Sequence, residues 1–473
     1  MDKFRVNILF ILLLVIFNQS STNNIYKLPF GLFNLYEKET EEDLINNIFH
    51  NYLYVNLSIG TPPQIIPFHL DVNSQSFYAS KKYFNRTASS TYEQISKTET
   101  TYSNENVISG FNSKDILIIN GKAKKINFIF ETKHNKDNDI GCIGLVIPTK
   151  IHPEIYSFSA SLITAGFINS FIWTLKFDNT LSPLDMILGD ESKILGELII
   201  GDDPHNYEED KNLYNDKNIL KLTALWTKDD LYWDVIFDSV FLTFKGKMIE
   251  KDKEVTKIDL IGDNVAELNP DIGFIVGPDK FYHYVNKHFF RKYSSICHQY
   301  RVDRTLFRVL ECKNTESFDV SSFPDISFQV EDITFTLTYK DLFILDTKLN
   351  KYIFLIMQEG YTFDWVLGRL FLNKFQLIFN ERTKTVGYYK SMDYYSSTDY
   401  IIDKIFDYAF SFMKIIFITL PSLYIVYIFV TKCKSNKRKK RKNELENEKL
   451  DDDYLLKDKK DVNKDNENNL ELE

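Results

Sequence analysis

The sequence predicts a mostly β globular unit made of two lobes, followed by a C-terminal transmembrane helix. Three observations predict it. Between residues 50 and 390 the chain alternates short apolar stretches with turns, as in Tyr52-Leu53-Tyr54-Val55-Asn56-Leu57-Ser58-Ile59 and Ile326-Ser327-Phe328-Gln329-Val330, with few helical periods. A long-period echo then recurs in both halves: a polar loop after an apolar strand, and later two apolar residues and a glycine. The first half carries Leu70-Asp71-Val72-Asn73-Ser74 and Cys142-Ile143-Gly144, the second Leu268-Asn269-Pro270-Asp271 and Val366-Leu367-Gly368. A duplicated lobe with a ligand cleft at the junction follows from that echo. Finally, the apolar stretch from Ile415 to Thr431 extends back through Ala409, Phe410, Ser411, Phe412 and Met413, with Lys414 as its one charge and Pro421 inside it, which is long enough to span a bilayer.

The two ends set the topology. Lys3 and Arg5 precede the apolar run Ile8 to Phe17, and polar residues follow, so residues 1–19 have the layout of a signal peptide. Residues 20–50 are a polar, acidic lead-in, residues 51–200 and 201–390 the two lobes, residues 391–404 a Tyr/Ser/Asp stalk, 405–431 the span and 432–473 a charged tail. The basic cluster Lys432, Lys434, Lys437, Arg438, Lys439, Lys440, Arg441 and Lys442 marks a cytosolic flank and makes the chain a single-pass type I membrane protein of the secretory pathway, endosomal, vacuolar or at the cell surface. With no aromatic interleaving or binding fold beside it, that cluster suits lipid headgroups and not nucleic acid. Asp451-Asp452-Asp453-Tyr454-Leu455-Leu456 fits the acidic dileucine sorting pattern.

Within the globular part, helices are expected from Ile155 to Ala165 and from Pro278 to Arg291. The sequons Asn56-Leu57-Ser58 and Asn85-Arg86-Thr87 are candidate glycosylation sites, with Asn85 in a polar turn. Of four cysteines, Cys297 and Cys312 flank a charged segment and are the candidate disulfide, Cys142 is expected as a buried core thiol, and Cys433 abuts the span.

Recognition becomes specific along an ordered set of motifs. Ser58-Ile59-Gly60-Thr61-Pro62-Pro63-Gln64 followed by Phe68-His69-Leu70-Asp71 is similar to the strand, turn and first catalytic aspartate of the pepsin-like aspartic peptidases. Phe84-Asn85, Ser89-Ser90-Thr91-Tyr92, Gly141 to Leu145, Gly196 to Gly201, Tyr232 to Val235, Phe274 to Pro278, Trp365 to Gly368, Phe371-Leu372, Phe379-Asn380 and Val386-Gly387 resemble the same family in order, from Tyr52 to Tyr388. The resemblance implies a bilobal pepsin-like fold, a polypeptide substrate or partner in the interlobe cleft, no cofactor, no metal, and Tyr102 as the flap tyrosine. It also gives the lead-in from Asn24 to Phe30 the look of a pro-segment start, with Lys27 either a partner for cleft carboxylates or an ordinary solvated lysine.

The chemistry of that family needs two carboxylates sharing a proton around one water, each on an Asp-Thr-Gly loop whose Thr hydroxyls brace the two loops together. Here the first loop reads Asp71-Val72-Asn73, which keeps the aspartate, loses the hydroxyl and replaces Gly by the next most tolerant residue of left-handed backbone. Two alignments of the second loop are open. Counting back from Gly277-Pro278 without a gap puts Asn269 at the catalytic position, an inactive arrangement; a two-residue deletion lets Asp271-Ile272-Gly273 stand in instead. Ser103-Asn104-Glu105 replace the flap glycines, and Arg369 replaces an acidic residue at what reads as an exposed surface position. The eight histidines read as surface or packing residues. Serine hydrolase, zinc peptidase and nucleotide-binding signatures are absent from the sequence.

Overall fold

Along Asn51–Ile59 the side chains of Leu53, Val55, Leu57 and Ile59 face the core while Asn56 faces solvent, the period of two that makes this segment a half-buried strand. The computed structural model describes residues 24–34, 51–102, 106–134, 140–146, 156–178, 180–188, 193–224, 233–250, 253–260, 262, 264–302, 306–359 and 364–390, together with 431–432, 434–439 and 441. The chain divides into one unit ending at Lys390 and another beginning at Ser391.

The first unit is built from three sheets. The largest runs from Ile219–Thr223 at one edge through Thr385–Tyr389, Leu377–Asn380, Ile172–Phe177, Ile194–Ile200, Tyr26–Asn34, Asn51–Ile59, Gln64–Asp71, Gly141–Gly144, Phe77–Ser80 and Lys122–His134 to the hairpin of Asn106–Ile119 and Glu93–Tyr102. It therefore joins both halves of the chain. A second sheet is confined to the later half, in the order Asp234–Ile236, Val265–Leu268, Trp365–Leu367, Ile275–Val276, Lys351–Glu359, Phe307–Lys313 and Cys297–Arg301. Four strands, Lys253–Asp259, Ser239–Glu250, Asp325–Val330 and Ile333–Leu337, form the third.

The duplication expected from the echo is visible in the pairing. In the first half, Gln64–Asp71 pairs parallel with Gly141–Gly144, which pairs antiparallel with Phe77–Ser80, which pairs parallel with Lys122–His134. In the second, Val265–Leu268 pairs parallel with Trp365–Leu367, which pairs antiparallel with Ile275–Val276, which pairs parallel with Lys351–Glu359. Between the lobes lies an aromatic core: Trp173 stacks on Phe379 with ring centroids 3.9 Å apart, and Trp233 meets both edge-on. Such ring pairs add about 0.5–1.5 kcal/mol each beyond their buried area. The Trp233 indole N–H also crosses between the halves, donating to the Leu145 carbonyl at 2.8 Å.

Helices form at Phe158–Thr164, capped by the Ser157 hydroxyl on the Ala160 N–H, and at Asp279–His288, continued by a 3-10 turn over Phe290–Tyr293. The lead-in differs from a detached polar segment. Tyr26, Leu28, Phe30 and Leu32 are buried in the strand Tyr26–Asn34, held between Ile194–Ile200 and Asn51–Ile59, while Lys27 on its other face is exposed. Lys27 is the solvated lysine of the two readings. In the second unit the described residues from Thr431 to Arg441 are helical and exposed. Among the described residues no helix is long and apolar enough to cross a membrane. The predicted span, like the signal peptide, stalk and dileucine motif, lies outside them, Thr431 excepted.

Candidate active site

Two loops of equal length define the site. Leu70 pairs with Ile143, which pairs with Phe77; Leu268 pairs with Leu367, which pairs with Ile275. Asp71 and Asn269 each follow the first residue of these triples, and each stands six positions before the last. No two-residue gap exists in this register, so Asn269, and not Asp271, matches Asp71. The local geometry agrees. An Asp71 carboxylate oxygen accepts the N–H of Asn73 at 2.7 Å, and the Asn269 side-chain carbonyl accepts the N–H of Asp271 at 2.9 Å. Beneath them Gly144 and Gly368 touch the loop backbones so closely that a Cβ would lie 2.4 Å from the Ser74 carbonyl oxygen or 2.0 Å from that of Phe274, which only glycine avoids.

At the next position in each loop stand Val72 and Pro270, both buried and neither able to form a hydroxyl brace. A different tie joins the halves. His69 Nε2 lies 2.9 Å from Oδ1 of Asp271, 202 residues away in sequence, and both side chains are nearly buried. The Tyr52 ring packs on the imidazole at 4.5 Å. Burial is the largest single influence on His69 and lowers its pKa, but the carboxylates of Asp271 and Asp71 together outweigh it and the opposing Arg369, so the net shift is upward.

Arg369 corrects the expectation of an exposed surface residue, because it is wholly buried. Its guanidinium donates to the carbonyls of Asp271 at 3.0 Å, Pro270 at 3.3 Å and Asn51 at 3.4 Å, so it also spans the two halves. Burial pushes its pKa down to about 10, with Asp271 acting the other way, and it remains charged at physiological pH. Asp271 is thus fixed through its backbone by Arg369 and through its carboxylate by His69.

Asn269 has a further neighbour. Its side-chain N–H donates to Oε1 of Glu267 at 2.8 Å. Burial is the main reason that the Glu267 carboxyl is pushed up to about 7; the bond from Asn269 opposes this, and Asp234, Asp271 and Glu359 add to it. Asp234, opposite Glu267 across the strand pair, is pushed up to about 6 by burial and by Asp364.

Sequence reasoning missed three of these residues: His69, read as a scattered surface or packing histidine, Glu267, and Arg369. The signal for the first two was strand periodicity, since a residue two before the loop shares the face of the loop residue itself. The expectation that Asn73 serves as a left-handed stand-in for glycine is also corrected. Among the described residues the non-glycine residues of positive φ are Asn120, Glu331, Asn350 and Lys384, and Asn73 is not one of them.

Elsewhere, Tyr102 ends its strand paired with Asn106 at the tip of the described hairpin, and Ser103 to Glu105 lie outside the described residues. Cys297 and Cys312 form a disulfide across directly paired strand positions, and Cys142 is buried beside Tyr78 and Ile129. Asn56 and Asn85 are exposed, and the Asn85 side-chain oxygen caps a 3-10 turn by accepting the Thr87 N–H. Among the described residues no cluster of three metal-ligating side chains occurs.

No curated protein matches the chain. A family model does, under the description eukaryotic aspartyl protease, over residues 52–390. With that span covering both lobes and both site loops, the chain belongs to the eukaryotic aspartyl protease family.

Proposed function

We propose that the unit ending at Lys390 binds an extended polypeptide between its lobes and hydrolyses it weakly or not at all, acting as a membrane-tethered peptide receptor. The observation that carries this reading is the register of Asn269. The second-lobe position that corresponds to Asp71 carries no carboxyl to share a proton, so one site cannot supply the base that activates water and the acid that polarises the scissile carbonyl. Asp271 does not compensate, since its carboxylate is engaged by His69. An amide in place of the second carboxylate still suits a peptide bond. Asn269 offers N–H to a substrate carbonyl, and Asp71 accepts from a substrate N–H. Tyr102 is the residue proposed to close over the bound chain.

Anchoring by residues 405–431, entry to the secretory pathway and glycosylation at Asn56 and Asn85 belong to the same proposal. Loss of a positioned acid or base group costs about 10² to 10⁴-fold in rate. The test uses the full chain in detergent with a denatured protein substrate at acid to neutral pH, alongside Asp71→Asn, Asp271→Asn and Asn269→Ala. Cleavage at background level with retained binding of a statine-type peptide is expected. Robust cleavage abolished by the two aspartate substitutions but not by Asn269→Ala would overturn the reading.

A further inference from the structure

We propose that His69 and Asp271 form a proton-dependent latch across the cleft floor: with the imidazole protonated, the ion pair ties strand Gln64–Asp71 to the loop Asn269–Gly273, and loss of that proton slackens the tie. The inference rests on the geometry between the lobes and holds whether or not Asp71 takes part in hydrolysis.

The geometry gives the latch two unlike ends. On the Asp271 side the backbone is held by the buried guanidinium of Arg369, so the carboxylate stands at a fixed point of the second lobe. On the His69 side the imidazole sits on a strand of the first lobe, two residues before Asp71, under the Tyr52 ring. Both loops lack the hydroxyl residues that would otherwise join them, because Val72 and Pro270 occupy those places. The charges acting on the imidazole are Asp271, Asp71 and Arg369, while its strand neighbours in register, Tyr54 and Cys142, are neutral at acid pH.

Protonation is a simple uptake of a proton from solvent at one ring nitrogen. The doubly protonated ring donates to the carboxylate as an ion pair; the neutral ring keeps at most a hydrogen bond of ordinary strength. Two carboxylates favour the charged ring, so the latch is engaged at acid pH and released as pH rises through the His69 titration. A cleft fixed in acid and looser near neutrality is the functional consequence, and it would make ligand exchange depend on compartment.

The test needs no substrate, so its failure is distinct from that of the receptor reading. In the full-length protein in detergent, hydrogen exchange at the imidazole C2 position, followed by mass spectrometry, gives the titration of each histidine. His69 should titrate above the ordinary value of an imidazole, and Asp271→Asn should lower its midpoint. Backbone exchange is then compared for segments 69–74 and 269–273. At about pH 5.5, His69→Gln and Asp271→Asn should each accelerate both segments about 10-fold, the double variant should be no faster than either, and the difference should fall below about 2-fold near pH 8.5. Titration of His69 at or below the ordinary value of an imidazole in the unaltered protein overturns the latch even where a variant fails to fold. So do additive effects, or effects confined to the segment carrying the substitution.

Discussion

The loop that opens at Asp71 and the loop that opens at Asn269 share their length, their strand register, the glycine beneath them and the bond from the first side chain to the amide two residues on. They differ in every group that the family's chemistry would use. One presents a carboxylate, the other an amide already committed to Glu267; one is followed by Asn73, the other by Asp271 bonded to the opposite lobe. The difference separates two kinds of constraint. Backbone demands, set by parallel pairing and close packing, are met identically in both lobes. Side-chain demands are met in one lobe only by the carboxylate of Asp71, and in the other give way to contacts that hold the lobes together.

The largest effect expected from breaking this comparison is a gain of hydrolysis. Asn269→Asp alone would set a new carboxylate against Glu267, whose carboxyl is already pushed up to about 7. Adding Glu267→Gln removes that third acid and leaves a two-carboxyl site. The double variant should therefore cleave denatured protein at acid pH about 10²-fold or more faster than the natural chain, and faster than Asn269→Asp alone. Equal, background-level cleavage by all three proteins would mean that the two loops are not interchangeable.

Next in size is the backbone test. Gly144→Ala and Gly368→Ala each drive a Cβ into a carbonyl oxygen that cannot swing aside, so both should destabilise the protein by about 3 kcal/mol. Denaturant unfolding of the full chain measures it. Tolerance of alanine at one glycine but not the other would show that the shared register hides different packing.

Most of the scaffold was legible in the sequence because it is written in short-range pattern. Alternation marked Asn51–Ile59, the repeated polar loop and glycine marked the duplicated pairing, and the cysteine pair marked a hairpin. The integration of Tyr26–Asn34 was not legible, since a strand of nine residues inside an acidic segment reveals nothing of its distant partner at Ile194–Ile200. The site was half legible. The two possible partners of Asp71 could be named but not separated, because only the register of Leu268 on Leu367 fixes the count. His69 with Asp271, and Arg369 with the carbonyl of Asn51, are contacts between residues hundreds of positions apart, and no local periodicity encodes them.

A smaller effect concerns pH. Glu267 has a folded pKa raised far above that of an unfolded glutamate, so between about pH 4.5 and 7 the native state binds more protons than the unfolded one. Stability then falls as pH rises through that window, and the contribution is fully present only below it. Asp234, at about 6, and the distant Glu381, also pushed up to about 7 by burial, act in the same direction. Glu267→Gln mimics the protonated form, so it should add about 1–2 kcal/mol at pH 7.5, have little effect near pH 4, and leave the slope due to Asp234 and Glu381. A variant whose stability parallels the natural chain at every pH would place the ionisation elsewhere.

The smallest effect is expected at Asn73, and it isolates what each loop asks of its third residue. Asp271 contributes three times, through the N–H that it gives to Asn269, the carbonyl that accepts from Arg369 and the carboxylate that pairs with His69. Asn73 contributes once, because among the described residues its role is the N–H that reaches Asp71, a group any residue but proline supplies. Its φ is not positive, so no left-handed backbone requires an asparagine or glycine there. Asn73→Ala should accordingly change stability by less than about 0.5 kcal/mol and leave peptide binding intact. Asn73→Pro, which removes the N–H, should weaken binding at Asp71 while Asn73→Ala does not. A loss in the alanine variant as large as in the proline variant would show that the first loop, like the second, depends on the side chain at this position.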